Sequence, residues 1–186
     1  AAGEMRTRLR ALGVPGISAR TFHAAALRQL MYFWPEVLGG RFPQLLTTKT
    51  GFITEAINRA GITAVKNNSI LRDLAGEIEW SKVIGFAPDE YQRASDDYSR
   101  QVVSGGQRVN AGDIAKIYEA YESLKRQERA IDFEDVLLLT VGMLEEDRDV
   151  RDRVRDQYRY FTVDEYQDVS PLQQRLLDLW VGGRKD

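Results

Sequence analysis

The sequence contains no cysteine in its 186 residues. Disulfide bridges, thiolate metal ligands and cysteine nucleophiles are therefore excluded, which agrees with a reducing compartment, and we expect a cytoplasmic protein. No apolar run approaches the roughly 18 residues of a membrane span, and no signal-peptide pattern occurs. With 43% apolar residues the chain is expected to bury a real core without associating with a membrane.

Excess charge of either sign is also small. The net charge is −2, so contact with nucleic acid would need a local basic patch. Histidine occurs once, as His23, and lysine is scarce beside arginine. Arginine favours bidentate phosphate contacts where it is exposed, but composition alone identifies no such site.

The most informative stretch begins at Tyr160, where four aromatic or β-branched residues, 160–163, have the composition of a buried strand. Asp164 and Glu165 follow at once. Ligand-binding groups of α/β sheets lie at such carboxyl ends of strands. One carboxylate can hold Mg²⁺ and its neighbour can orient or deprotonate a water molecule, so the pair indicates nucleotide hydrolysis. The alternative is a polar strand end without chemistry.

A capped helix is predicted directly after this pair. Ser170 and Gln173 have the spacing of a capping box, and Pro171 stands at the first helical position. Apolar residues then recur at helical spacing at Leu172, Leu176, Leu179 and Trp180. Strand, acidic turn and capped helix together are typical of an α/β fold.

A second junction of strand and helix is predicted near the amino terminus. Alternating residues predict a short strand within 16–23, and residues 24–34 follow as a helix that ends at Pro35. From about residue 39 to 110 only short helices are predicted, separated by breakers, over 52–60, 70–78 and 88–98. Residues 104–110 are predicted to form a loop.

Two capped helices are predicted after that loop. Asn110 begins the first, and Asp132 begins the second with Asp135 three residues later. For both aspartates capping is the favoured role.

These motifs, in their order, resemble those of the UvrD/PcrA/Rep-like superfamily 1 DNA helicases. Residues 161–173 are similar to motif II, the Walker B motif, and residues 21–23 to motif Ib. Residues 1–10 resemble the second half of motif Ia. Residues 132–137 resemble the Asp-Phe-x-Asp-Leu-Leu element that precedes motif II, with Val136 in place of leucine.

The resemblance implies an α/β fold, mostly helical overall, in which a partial RecA-like parallel sheet carries a large all-helical insertion. It divides the chain into part of a RecA-like domain (1–38), a helical 1B-like insertion (39–125) and a return to the RecA-like domain (126–186). The implied parent is an ATP-binding hydrolase, a 3′-to-5′ DNA helicase of DNA repair. Its cofactors would be ATP and Mg²⁺, and its partners single-stranded and duplex DNA and repair proteins.

The resemblance also assigns roles in the acidic stretch. Asp164 is expected to coordinate Mg²⁺ and Glu165 to act as the catalytic base. Gln167 and Asp168 are expected to join the catalytic residues and to link the nucleotide site to the DNA-facing motifs. Asp164, Glu165 and Gln167 would contact the nucleotide.

Thr21, Phe22 and His23 are expected to contact single-stranded DNA, because motif Ib lies on the DNA track of this family. A threonine hydroxyl can hydrogen-bond phosphate, and the two rings can stack on bases or support the DNA path. The alternative is structural: Thr21 caps a helix, Phe22 packs in the core and His23 is a satisfied polar group.

The loop G-x-x-x-x-G-K-[S/T], which cradles nucleotide phosphates, does not occur in the sequence. We therefore expect a piece of a helicase that has no ATPase activity by itself. Two alternatives remain: a non-catalytic helical domain that binds nucleic acid or docks a partner, and the helicase part of a helicase-nuclease.

Overall fold

The computed structural model describes residues 2–13, 19–62, 68–104, 107–158 and 160–183. The α-helices in these ranges are α1 (Ala2–Ala11), α2 (Phe22–Val37), α3 (Thr50–Arg59), α4 (Asn68–Ile84), α5 (Tyr91–Asp97), α6 (Ala111–Glu128), α7 (Phe133–Glu146), α8 (Arg148–Gln157) and α9 (Pro171–Val181). Short 3₁₀ turns cover Pro88–Glu90 and Tyr166–Asp168. No helix of the described ranges combines the length and apolarity that a membrane crossing requires.

Five of the described helices begin at a side chain that accepts a hydrogen bond from the first turn, among them α8 at Asp147. Thr21 caps α2 and Asn110 caps α6. Asp132 and Ser170 form complete capping boxes at α7 and α9. Such caps stabilise a helix by about 1 kcal/mol each. The predicted starts of α6, α7 and α9 are confirmed, and these caps are their physical cause.

Two small ladders supply the β-structure of the residues that the structure describes. β1 (Gln44–Leu45) pairs in parallel with β4 (Ala130–Ile131), and β2 (Val103–Ser104) pairs antiparallel with β3 (Gln107–Arg108). The mostly helical α/β class is thus confirmed. The predicted loop 104–110 is wrong in part, because β3 lies inside it.

The strand predicted at 160–163 is not formed, since these residues have no regular secondary structure. The alternation of a strand is nevertheless present in the burial: Phe161 and Val163 are half-buried against the core, whereas Thr162 is exposed. A strand also needs a neighbour for its ladder hydrogen bonds, and no described segment pairs with 160–163. Side-chain composition predicted the burial but not the pairing.

The strand predicted within 16–23 is likewise not found in its described part. Residues 14–18 lie outside the described ranges, residues 19–21 have no regular structure, and residues 22–23 belong to α2. The cap at Thr21 decides the boundary, because the extended residue that caps a helix directly precedes the first turn.

Buried apolar side chains of the described segments form two clusters. The first draws on α2, α7, α8 and α9 and includes Leu30, Leu144 and Trp180. The second draws on α3, α4, α5 and α6 and includes Ile53 and Tyr121. Helix α7 belongs to the first cluster, and its amino terminus lies against helices of the second. The domain boundaries at 38/39 and 125/126 stay a prediction.

Candidate nucleotide and DNA sites

Asp164 and Glu165 lie in a compact turn between half-buried Val163 and helix α9, and residues 164–168 are called the acid turn below. The Asp164 carboxylate accepts a hydrogen bond from the Glu165 backbone N–H at 3.1 Å. The Glu165 carboxylate accepts one from the Gln167 amide, and the Asp168 N–H donates to the Glu165 carbonyl at 2.9 Å. All of these side chains are exposed, so the carboxylates remain accessible to a ligand.

The backbone of Glu165 adopts the left-handed conformation, with φ of 51° and ψ of 47°. A side chain in this region costs about 1–2 kcal/mol, because Cβ approaches the following carbonyl oxygen. Strained residues of this kind concentrate at functional sites. The strain marks Glu165 within the acid turn, and no feature of the sequence predicted it.

The donors of the acid turn suit Mg²⁺. Magnesium is typically bound through one or two carboxylates and several waters, and the exposed carboxylates of Asp164 and Glu165 match this pattern. Elsewhere, Glu122, Asp132 and Asp135 form a group of three carboxylates close enough to share an ion, with oxygens that lie within 4.8 Å of one another. Two lysine ammonium groups occupy that cluster, so lysine supplies its positive charge.

The three residues predicted to contact DNA lie in two different places: Thr21 and His23 line a surface cavity, and Phe22 does not. Thr21 and His23 line a small cavity of about 190 Å³ together with Phe133, whose ring lies edge-to-face with His23 at 6.1 Å. The Thr21 hydroxyl also accepts the Ala24 N–H at 3.2 Å, which caps α2. Phe133 is 42% exposed and joins this surface. It belongs to the Asp-Phe-x-Asp element, which was not assigned a contact with DNA.

Phe22 instead faces the core. Its ring stacks on Trp180 at 5.8 Å, and the other neighbour of Trp180 is Phe161, stacked at 5.7 Å. The Trp180 indole N–H donates to Gln29 at 2.8 Å, which fixes the ring between them. This aromatic stack joins a residue beside His23 to a residue three positions before Asp164. It therefore connects the two candidate sites through packed rings.

Comparison with known proteins identifies the family of this chain. The profile of the UvrD/REP helicase N-terminal domain matches residues 1–186. The chain belongs to this family.

Individual helicases agree with this assignment. The ATP-dependent DNA helicase UvrD2 of Mycobacterium tuberculosis is 44% identical across all of this chain, which covers 27% of that protein. The ATP-dependent DNA helicase PcrA of Leuconostoc citreum is 28% identical over 96% of this chain and 23% of its own length. The exonuclease/helicase subunit RexA of Lactococcus lactis subsp. cremoris is 36% identical over 38% of the chain and 6% of its own length. The chain thus spans about a quarter of the helicases UvrD2 and PcrA.

Burial favours the neutral form of the single histidine of this UvrD/REP domain. Burial lowers the pKa of His23 from its ordinary value; the carboxylate of Glu134 opposes this effect, and the ammonium group of Lys49 offsets part of that opposition. Lys49 itself pairs with Glu79 and Glu134, both at 2.5 Å. The cavity beside Thr21 therefore presents an uncharged imidazole and a phenyl ring.

The sequence placed Phe133 in the Asp-Phe-x-Asp element but did not predict its place beside His23. The sequence places it among the apolar positions of a helix, and one residue of an apolar stripe looks like another. Its partner His23 is 110 positions away in the chain, so only the packing of α2 on α7 brings the rings together.

Proposed function

We propose that the chain is part of an ATP-dependent DNA helicase that couples Mg-ATP hydrolysis to 3′-to-5′ movement along single-stranded DNA and to duplex unwinding in DNA repair. In this proposal residues 1–38 and 126–186 belong to a RecA-like domain, and 39–125 form its helical insertion. Membership of the UvrD/REP family supports the helicase role. The observation that carries the chemistry is the exposed acid turn, with strained Glu165 directly before capped α9.

Four residues of the acid turn have a role in this mechanism. Asp164 would hold Mg²⁺ through a carboxylate oxygen, and the bound ion would offset charge on the phosphates. Glu165 accepts the proton of the attacking water, as a general base within reach of it. Gln167 donates to the Glu165 carboxylate and so orients the base. Asp168 closes the turn through its N–H and carries the connection toward α9.

The cavity lined by Thr21, His23 and Phe133 is the candidate contact for single-stranded DNA. Its rings offer an apolar surface for a base, and stacking on an aromatic side chain contributes about 1–3 kcal/mol per base. The lowered pKa of His23 keeps this surface uncharged, so contact here is by stacking rather than by ion pairing with phosphate.

Coupling between hydrolysis and DNA movement needs a physical connection between the two sites. The stack of Phe22, Trp180 and Phe161 provides one, because its outer rings belong to the segments that carry His23 and Asp164. Packed side chains transmit small displacements since protein interiors are close-packed.

Glu165→Gln in the full-length protein tests the chemistry. The amide keeps the shape of the side chain but cannot accept the proton, so we expect nucleotide binding to persist and steady-state ATP turnover to fall by about 10²–10⁴-fold. Glu146→Gln, an exposed carboxylate at the end of α7, is the matched control and should leave turnover unchanged. Full turnover by Glu165→Gln would remove Glu165 from its role and favour a non-catalytic DNA-binding domain.

A further inference from the structure

The first turn of α7 and its cap carry three carboxylates, and each is paired with lysine from residues 39–125. Asp132 and Asp135 each pair with Lys82 and Lys125, and Glu134 pairs with Lys49. Lys82 belongs to α4, Lys125 to α6, and Lys49 directly precedes α3. The three lysines are called the lysine clamp below. Every acidic side chain at this helix start is therefore held by the predicted insertion.

Asp132 is the centre of the arrangement. It is fully buried and accepts hydrogen bonds from the Lys82 ammonium at 2.8 and 2.9 Å, from Lys125 at 3.0 Å and from the Tyr121 hydroxyl at 3.0 Å. It also accepts the Asp135 N–H at 2.9 Å, which caps α7. One buried carboxylate thus joins α4 and α6 to the amino terminus of α7.

The buried groups remain charged. Burial alone would raise the pKa of Asp132, but the ammonium groups of Lys82 and Lys125 hold it well below its usual range. Burial alone would lower the pKa of Lys82, but Asp132, Glu122 and Asp135 raise it above its ordinary value. Lys82 and Asp132 therefore form a true ion pair at neutral pH, with defined donor and acceptor positions.

The choice of lysine is informative in a chain with six lysines and twenty arginines. Half of the lysines belong to the clamp. A compact ammonium group can contact carboxylates that approach from different directions, as Lys82 contacts Asp132, Asp135 and Glu122. The flat fork of arginine suits one carboxylate at a time.

Phe133, in the first turn of α7, lies at the proposed DNA surface, which is the cavity lined by Thr21, His23 and Phe133. It directly follows Asp132, and its ring lies 6.1 Å from that of His23. We propose that the lysine clamp consists of positioning residues, which hold the first turn of α7 so that Phe133 stays against His23. Contact with DNA would then depend on the helices of the predicted insertion. This consequence rests on the proposed function. The positioning of Phe133 does not rest on it.

Nuclear magnetic resonance of the 186-residue chain tests the positioning, because His23 is its single histidine. The ring current of Phe133 shifts the imidazole C–H signals, so Lys82→Met should move them toward their positions in Phe133→Ala. Lys49→Met should raise the pKa of His23, since Glu134 then faces the imidazole without its lysine partner. Lys116→Met, an exposed lysine of α6, is the matched control and should change neither.

Lys49→Met keeps the test decisive if Lys82→Met does not fold. Lys49 retains 11% exposure and its partner Glu79 retains 47%, so solvent can compensate for its loss. Unchanged imidazole signals of neutral His23 in Lys49→Met, or in a folded Lys82→Met, would overturn the clamp. Partial return of the signals in Lys82→Arg, which restores the charge, would support it.

Binding of a fluorescent oligothymidylate to the full-length protein tests the consequence. Phe133→Ala and Lys82→Met should each weaken affinity about fivefold or more, and the double variant should be no weaker than Phe133→Ala. If Phe133→Ala binds normally while the imidazole signals respond as expected, the DNA surface is wrong and the clamp stands. If Phe133→Ala weakens binding and Lys82→Met has no effect on affinity or signals, the clamp is wrong and the DNA surface stands.

Discussion

At the scale of single residues, Glu165 combines a candidate catalytic carboxylate with a left-handed backbone at φ of 51°. Sequence reasoning could select Glu165 by its neighbours, because the acid pair and the cap at Ser170 are local patterns. It could not predict the strain, since residue type favours glycine or asparagine at such a position. Selection for the carboxylate at a place where the backbone favours glycine is the simplest physical account.

Glu165→Gly should therefore increase stability while it abolishes turnover. Relief of about 1–2 kcal/mol of backbone strain exceeds the 0.4–1 kcal/mol that glycine costs through the unfolded chain, so we expect a net gain of roughly 0.5–1 kcal/mol in urea unfolding. Arg129→Gly is the matched control, because Arg129 has φ of 50° at the end of α6, away from the acid turn. It should gain stability with turnover intact. A loss of stability in Glu165→Gly alone would mean that the side-chain hydrogen bond to Gln167 outweighs the strain.

At the scale of elements, helices could be predicted and strands could not. A helix is specified within a few residues by its cap and its apolar period, as at Asp132 and Ser170. A strand also needs a neighbouring segment, and the composition of 160–163 contains no information about one. The predicted burial is found, because Phe161 and Val163 pack against the first cluster.

The aromatic stack predicts how α9 is held to α2. Trp180 is 4% exposed between Phe22 and Phe161, so Trp180→Ala should cost about 3–5 kcal/mol in urea unfolding. Trp180→Phe keeps a ring between the neighbours and should cost less. Tyr160→Ala is the control, since Tyr160 is 86% exposed and its loss should change stability by no more than about 0.5 kcal/mol. Equal costs for Trp180→Ala and Trp180→Phe would show that the indole hydrogen bond to Gln29, rather than the stack, holds α9.

At the scale of the whole molecule, the sequence could not predict the ion pairs between residues that are far apart in the chain. Lys82 and Asp132 are 50 positions apart, and Lys49 and Glu134 are 85. Scattered lysines on predicted helices are usually solvated, so nothing in the pattern marked these as buried partners. The capping role expected for Asp132 is confirmed, and the same carboxylate also joins the two cores through ion pairs.

These ion pairs predict how stability depends on pH. The folded pKa of Asp132 is depressed, so its contribution is fully present above the unfolded value of about 3.9 and is lost as pH falls through the lower folded value. The folded pKa of Lys82 is raised, so its contribution is present below about 10.4 and is lost as pH rises through the higher folded value. Between these limits the network should contribute constant stability.

Asp132→Asn isolates this contribution. At pH 7 it leaves two buried ammonium groups with fewer acceptors, so the free energy of unfolding should fall by about 3–5 kcal/mol. Below pH 4 the difference from the natural sequence should shrink, because the unfolded chain then binds a proton at Asp132 that the folded protein resists until lower pH. Asp113→Asn, whose carboxylate lies 3.6 Å from Lys116 on the surface of α6, should follow the natural sequence at every pH to within about 1 kcal/mol. A constant difference down to pH 2 for Asp132→Asn would show that shape and hydrogen bonding, not charge, join the two cores.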